Sequence, residues 1–258
     1  MTGVPVLLLH GLSQQRHFWN PVSRRMRSVP VAAIDLRGHG DTDTPPETDY
    51  SVPACADDVV LALDAVGWQE AVLVGHSWGA AVALSAAARH PDRVRSVALI
   101  DGGLWPPRPA ESRAETRQAL TPPALGIDED TLWALIRTGD LAATWSDETA
   151  EALRPTYVAG PDGLMRTRLG MDRHMKVLDG LLDHDPAVDL RLLDARGIPV
   201  WAAVCEPTER PLNPVCADLT SLRIHRWAGA VHDVPLQWPA LVAGFVDALV
   251  ESGEGSSR

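Results

Sequence analysis

Ala71-Val-Leu-Val-Gly75-His76-Ser77-Trp78-Gly79-Ala80-Ala81 is the stretch on which the reading of this chain turns. A β-branched apolar run enters a Gly-x-Ser-x-Gly turn and leaves it as an alanine-rich segment, which predicts strand, sharp turn and helix in that order. The turn forces Ser77 into a strained backbone conformation with its hydroxyl exposed, and the glycines two positions to either side remove Cβ atoms that would clash. Small Ala80, Ala81 and Ala83 let the following helix lie close to the strand. A serine displayed in this way is a candidate nucleophile, and the strand-turn-helix context sets it apart from a chance Gly-x-Ser-x-Gly in a helix or loop.

Outward from this turn, short apolar runs at residues 4–9, 31–34, 71–74, 94–100, 199–204 and 222–227 alternate with longer helical patterns. That alternation predicts an α/β fold, a mostly parallel sheet with helices on both faces. Between residues 102 and 197 no convincing strand pattern appears, whereas residues 131–136 and 172–182 place apolar side chains at helical spacing. The expected division is one core, residues 1–103 and 197–258, interrupted by a helical insertion, residues 104–196. Pro106, Pro107, Pro109, Pro122 and Pro123 punctuate the start of the insertion. Residues 239–251 read as a closing helix on the sheet, and residues 253–258 as a frayed tail.

At 258 residues and 45% hydrophobic, the chain can bury one sizeable core. A net charge of −11 and an isoelectric point near 5.2 argue against nucleic acid or an anionic membrane as partner and favour an apolar or neutral small molecule. Cys55, Cys205 and Cys216 form no Cys-x-x-Cys pair and are too few for a disulfide framework or zinc cluster, so a reducing cytoplasm is the expected compartment. No spaced set of metal ligands accompanies His39 and Asp41, and no metal or other cofactor is implied. The N-terminal apolar run has no basic flank or cleavage site, which predicts neither a secretion signal nor a membrane span. A monomer or homodimer is expected.

Four landmarks in order, Leu8-Leu-His10-Gly11-Leu12, Asp35-Leu-Arg-Gly38-His39-Gly40, the Ser77 turn, and Gly229-Ala-Val-His232-Asp-Val-Pro235, resemble the α/β-hydrolase superfamily over nearly the whole chain. The resemblance implies that the insertion caps the active site. It implies His232, in a glycine-containing loop after the last strand, as the base that takes the Ser77 proton and returns it to the leaving group. It also assigns the oxyanion donors to the backbone N–H groups of Trp78 and Leu12. His10, His39 and His76 lie in family motifs where they support loop geometry or line the site, while His225, within a strand, reads as structural. Family members usually carry two earlier antiparallel strands, so a smaller sheet or a truncated start is expected. An aspartate at the Ser77 position would have implied dehalogenase or epoxide-hydrolase chemistry, and serine disfavours both.

The acid that orients His232 has two candidate locations. The commoner family position follows residues 199–204, but Thr208 stands where an aspartate is expected, with Glu206 and Glu209 as nearby substitutes. Asp101 ends the strand after the nucleophile helix, at the carboxyl edge where open α/β sheets build their sites, and is favoured. His10, Trp105 and His174 are candidate substrate-binding residues. Nine tryptophans, among them Trp19, Trp78, Trp105, Trp133 and Trp145, suggest an aromatic, apolar pocket. Asp57 and Asp58 read as first-turn helix carboxylates and Asp41 and Asp43 as turn residues. Hydrolysis of an ester, lactone or thioester through an acyl-enzyme is the leading function. A lyase, cyclase or C–C bond hydrolase on the same fold, or a binding protein with a vestigial site, stay open.

Overall fold

Each of the six apolar runs becomes a strand, and helical segments carry the chain from one strand to the next. The computed structural model describes all residues except 1–2, 28, 43–47, 108–109, 122–125, 207–210 and 255–258. In chain order the elements are β1 (Val6–Leu9), α1 (Asn20–Ser23), β2 (Val31–Ile34), α2 (Val52–Ala65), β3 (Ala71–His76), α3 (Trp78–Arg89), β4 (Val94–Ile100) and α4 (Ala110–Ala119). There follow α5 (Glu129–Arg137), α6 (Asp147–Leu153), β5 (Tyr157–Ala159), β6 (Met165–Thr167), α7 (Met171–Asp183) and α8 (Pro186–Arg196). The chain then runs through β7 (Val200–Glu206), β8 (Leu222–Ala228), α9 (Val234–Gln237) and α10 (Pro239–Glu254).

The main sheet has the order β2-β1-β3-β4-β7-β8, and every pairing in it is parallel. Period-two alternation sends successive side chains to opposite faces. Leu7, Leu9, Leu73, Val97 and Leu99 join one buried cluster with α2, α3 and α8, while Val6, Leu8, Val72, Val74, Ala98 and Ile100 join another with α10. Two buried faces explain why these strands read as continuous apolar runs. The chain winds from β1 outward to β2 and then returns to place β3 on the other side of β1. Strand order therefore reverses between β1 and β3, and a crevice opens beyond their carboxyl ends. Among the described residues no helix is long and apolar enough to cross a membrane.

Four local expectations are corrected. The segment between β4 and β7 contains a short antiparallel hairpin, β5 paired with β6, too brief to show a period-two pattern. Helix α8, placed in the insertion by sequence, buries Ala187, Leu190 and Leu193 in the same cluster as α3 and so covers the sheet. Asp57 and Asp58 fall in the second turn of α2, whose cap is Ser51, and they pair with Arg89 and Arg37. Gly253 continues α10. Asp43, Pro109, Pro122, Pro123, Thr208 and Glu209 lie outside the described residues.

The rest of the inserted segment bears on both sides of the core. Trp133, Leu141, Ala152 and Leu153 pack with Phe18 and Trp19 in one cluster, while Val177 of α7 joins the other. Arg24 and Arg25 reach Glu148 and Glu151 of α6, and Arg168 reaches Asp41. Cys55, Cys205 and Cys216 are free thiols.

Candidate active site

Ser77 sits between β3 and α3 at φ 54° and ψ −118°, the strained conformation that the flanking glycines predict. A Cβ on Gly75 would collide with the Gly79 carbonyl, and one on Gly79 with the carbonyls of Leu9 and His10. Strand, helix and the β1 loop therefore close on the serine with no room for a side chain at either glycine. The Ser77 N–H donates to the Ile100 carbonyl at 3.0 Å, which ties the turn to the end of β4. Such strain costs about 1–3 kcal/mol and persists only where surrounding contacts over-determine it.

Asp101 is the next residue along β4 and also has positive φ, 45°. Its N–H donates to the Ala203 carbonyl at 2.8 Å, and its Oδ1 accepts the Cys205 N–H at 3.0 Å. The carboxylate thus takes the place of a main-chain acceptor in the β4–β7 ladder, which leaves Oδ2 aimed out of the sheet. There it lies 2.6 Å from His232 Nδ1, and His232 Nε2 lies 3.0 Å from Ser77 Oγ. Glu206 points elsewhere, paired with Arg226 at 3.2 Å. The structure brings Ser77, His232 and Asp101 together and leaves Glu206 apart.

The loop carrying His232 is braced on several sides. Val231 N–H donates to Gln237 Oε1 at 2.8 Å, Gln237 Nε2 donates to the Gly229 carbonyl at 3.0 Å, and the Cys205 thiol faces the Val231 carbonyl. His76 Nε2 lies 2.8 Å from the His232 carbonyl, and the His76 ring stacks on Phe18. Desolvation opposes charge on His232, but the hydrogen bond to Asp101 and the fields of Asp233, Asp101 and Asp140 outweigh it and raise the ring above the ordinary histidine value.

Register places the oxyanion candidates. Leu9 pairs with Gly75, so the loop His10-Gly11-Leu12 runs beside His76-Ser77-Trp78. A methyl on Gly11 would come within 3.2 Å of Ser77 Cβ. Trp78 opens α3, and N–H groups in a first helical turn have no partner within the helix. The indole of Trp78 itself is fully buried.

The candidate binding residues fare differently. His10 is fully buried, with Nδ1 donating to the Gly11 carbonyl and Nε2 accepting the Leu36 N–H; both nitrogens serve the loops, and it is corrected to a structural residue. Burial lowers its pKa to about 4, and those of His39 and His76 to about 3. The ring nitrogens of buried His174 meet Ser13 Oγ and the Leu120 carbonyl. Trp105 lies partly buried a short way beyond Asp101. Trp19 and Trp78 belong to the core, and Trp133 packs against Trp145 and Tyr157 within the insertion, so these aromatic residues serve packing first. His225 packs on Trp201 and Phe245, remote from Ser77 in the sheet order.

Sequence reasoning passed over Gln14. Its Oε1 accepts the Gly11 N–H at 3.1 Å and its Nε2 donates to Asp233 Oδ1 at 2.9 Å, which links the loop after β1 to the His232 loop. Its place within three residues of Gly11 was the available signal.

A family model described as the alpha/beta hydrolase fold matches residues 4–161. Epoxide hydrolase 3 of Siraitia grosvenorii is 39% identical over 112 residues, 42% of this chain and 35% of that protein. A pimeloyl-[acyl-carrier protein] methyl ester esterase of Neisseria meningitidis is 41% identical over 95 residues, 36% of this chain and 34% of that protein. The matching stretch thus spans about a third of the length of these curated relatives. A solved structure of E-2-(acetamidomethylene)succinate hydrolase superposes with a TM-score of 0.81 over 97% of this chain and 92% of the other, at 25% identity.

Proposed function

Because the chain belongs to the alpha/beta hydrolase family, we propose that it is a serine hydrolase that cleaves a carboxylic ester, lactone or thioester of a mainly apolar small molecule through an acyl-enzyme at Ser77. One observation carries this reading: the unbroken line from Ser77 Oγ to His232 Nε2 at 3.0 Å and from His232 Nδ1 to Asp101 Oδ2 at 2.6 Å. His232 takes the hydroxyl proton as Ser77 attacks the carbonyl, and Asp101 stabilises the imidazolium that forms. The N–H groups of Trp78 and Leu12 receive the oxyanion, aided by the positive end of α3. The imidazolium then protonates the leaving group, and a water activated by the same ring releases the acid.

The relatives include both an esterase and an epoxide hydrolase, and the serine supports the acyl reading over the other. Serine opening an epoxide would form an ether with no carbonyl for water to attack, so turnover would stop. Serine attacking an ester forms a second ester, which the same groups can hydrolyse.

The test is labelling of Ser77 by a fluorophosphonate together with a screen of p-nitrophenyl acyl esters and lactones. Ser77→Ala is expected to abolish labelling and to lower turnover at least ~10³-fold while the melting temperature holds. A variant retaining more than about a tenth of wild-type turnover, with contamination excluded, would sink the acyl-enzyme reading.

A further inference from the structure

We propose that His174 is a positioning residue that, from the inserted segment, holds the Leu12–Ser13 loop in the conformation that presents the Leu12 N–H to the oxyanion; the inference rests on the acyl-enzyme reading above. His174 is the buried polar side chain of α7, 5% exposed, next to buried Val177 and Leu178. A buried imidazole needs partners for both nitrogens. Nε2 lies 3.1 Å from the Leu120 carbonyl, which can only accept, so Nε2 carries the proton. Nδ1 then offers its lone pair to Ser13 Oγ at 2.7 Å, and the serine hydroxyl is the donor.

Ser13 is one of three non-glycine residues at positive φ among the described residues, and the other two are Ser77 and Asp101. A φ of 64° is unfavourable for serine and needs outside support. Two histidines supply it. His39 Nε2 accepts the Ser13 N–H at 3.3 Å, while His39 Nδ1 donates to the Arg37 carbonyl at 3.0 Å. His39 thus fixes the Ser13 main chain from the core, and His174 fixes its side chain from the inserted segment. Without the second hold, Ser13 relaxes toward negative φ and Leu12, one residue earlier, turns with it. Simple packing would be met by an apolar ring at position 174 and would not need a short hydrogen bond to a strained residue.

The experiment measures labelling of Ser77 by a fluorophosphonate in the full chain, resolved into the maximal rate and the half-saturating concentration. His174→Ala is expected to lower the maximal rate roughly 10- to 100-fold, as a displaced oxyanion donor would, and to leave the half-saturating concentration within about threefold. Glycine adopts positive φ without strain, so in a Ser13→Gly background the same substitution is expected to change the rate by less than about twofold. If His174→Ala does not fold, Ser13→Ala removes the donor alone and is expected to show the same fall in rate. A higher half-saturating concentration at an unchanged rate would overturn the proposal in favour of ligand contact. Equal losses in both backgrounds, or a wild-type rate in Ser13→Ala, would also overturn it. A wild-type protein that neither labels nor turns over esters overturns the acyl-enzyme reading and this inference together, whereas normal labelling of wild type and His174→Ala alike removes this inference alone.

Discussion

Asp101→Asn separates the acid role proposed for Asp101 from that of its position, because the structure dictates how the amide must sit. Oδ1 of Asp101 accepts the Cys205 N–H at 3.0 Å, within the sheet. Only the oxygen of an asparagine can occupy that place, since turning its NH2 toward another N–H would leave a buried donor unpaired at a cost of about 1–3 kcal/mol. The NH2 is therefore forced toward His232 Nδ1, which must then accept, and the ring proton moves to Nε2. That nitrogen faces Ser77 Oγ at 3.0 Å and can no longer take the hydroxyl proton. Losing both the correct tautomer and the charge that balances the imidazolium is expected to lower kcat roughly 10³- to 10⁴-fold, equivalent to about 4–5.5 kcal/mol of barrier. KM should change little, because neither atom touches substrate. The assay is steady-state hydrolysis of a p-nitrophenyl ester with the melting temperature measured in parallel, and the melting temperature should stay within a few degrees because the Cys205 N–H keeps its acceptor. A variant with more than about a tenth of wild-type kcat would refute the assignment of the acid.

Three further outcomes are expected. His232 must be neutral to act as a base and its pKa is raised, so activity should fall on the acid side with a midpoint above the ordinary histidine value; Asp233→Asn removes one of the raising fields and should move that midpoint down in a pH–rate profile. His10, His39 and His76 stay neutral in the fold to about pH 4, 3 and 3, while in the unfolded chain they charge below about 6.5. Stability from these three should therefore be complete above about pH 6.5 and be lost as pH falls toward those values, by up to about 4 kcal/mol per pH unit, read from urea midpoints across pH 7 to 4.5. Gly79→Ala drives a methyl into the Leu9 and His10 carbonyls, and a loss of about 3 kcal/mol should lower the melting temperature by roughly 6–12 °C; an unchanged value would mean that α3 shifts freely off β1.

What the sequence determined by itself is whatever depends on neighbours along the chain. The run from Ala71 to Ala81 specifies strand, turn and helix through local sterics, and the doubly buried strands announce themselves as apolar runs because each must face two helical layers. Ser77 and His232 were legible because their motifs are contiguous. The candidate acid was narrowed by sequence to Asp101 against Glu206 and Glu209, and only tertiary structure could show that Asp101, not Glu206, lies beside His232. That separation rests on the β4–β7 register, which puts Cys205 N–H opposite one oxygen of Asp101 and turns the other toward His232, while Arg226 draws Glu206 away. Position also decided the histidines. His10 and His174 carry the same chemistry as His232, but long-range packing turns the ring nitrogens of His10 to Gly11 and Leu36 and those of His174 to Ser13 and Leu120, whereas His232 faces Ser77 Oγ, and contacts such as Ser13 with His174, 161 residues apart, leave no mark on local pattern. The hairpin β5–β6 and the core role of α8 were missed for the same reason, since three-residue strands carry no period and a helix does not announce which layer it covers.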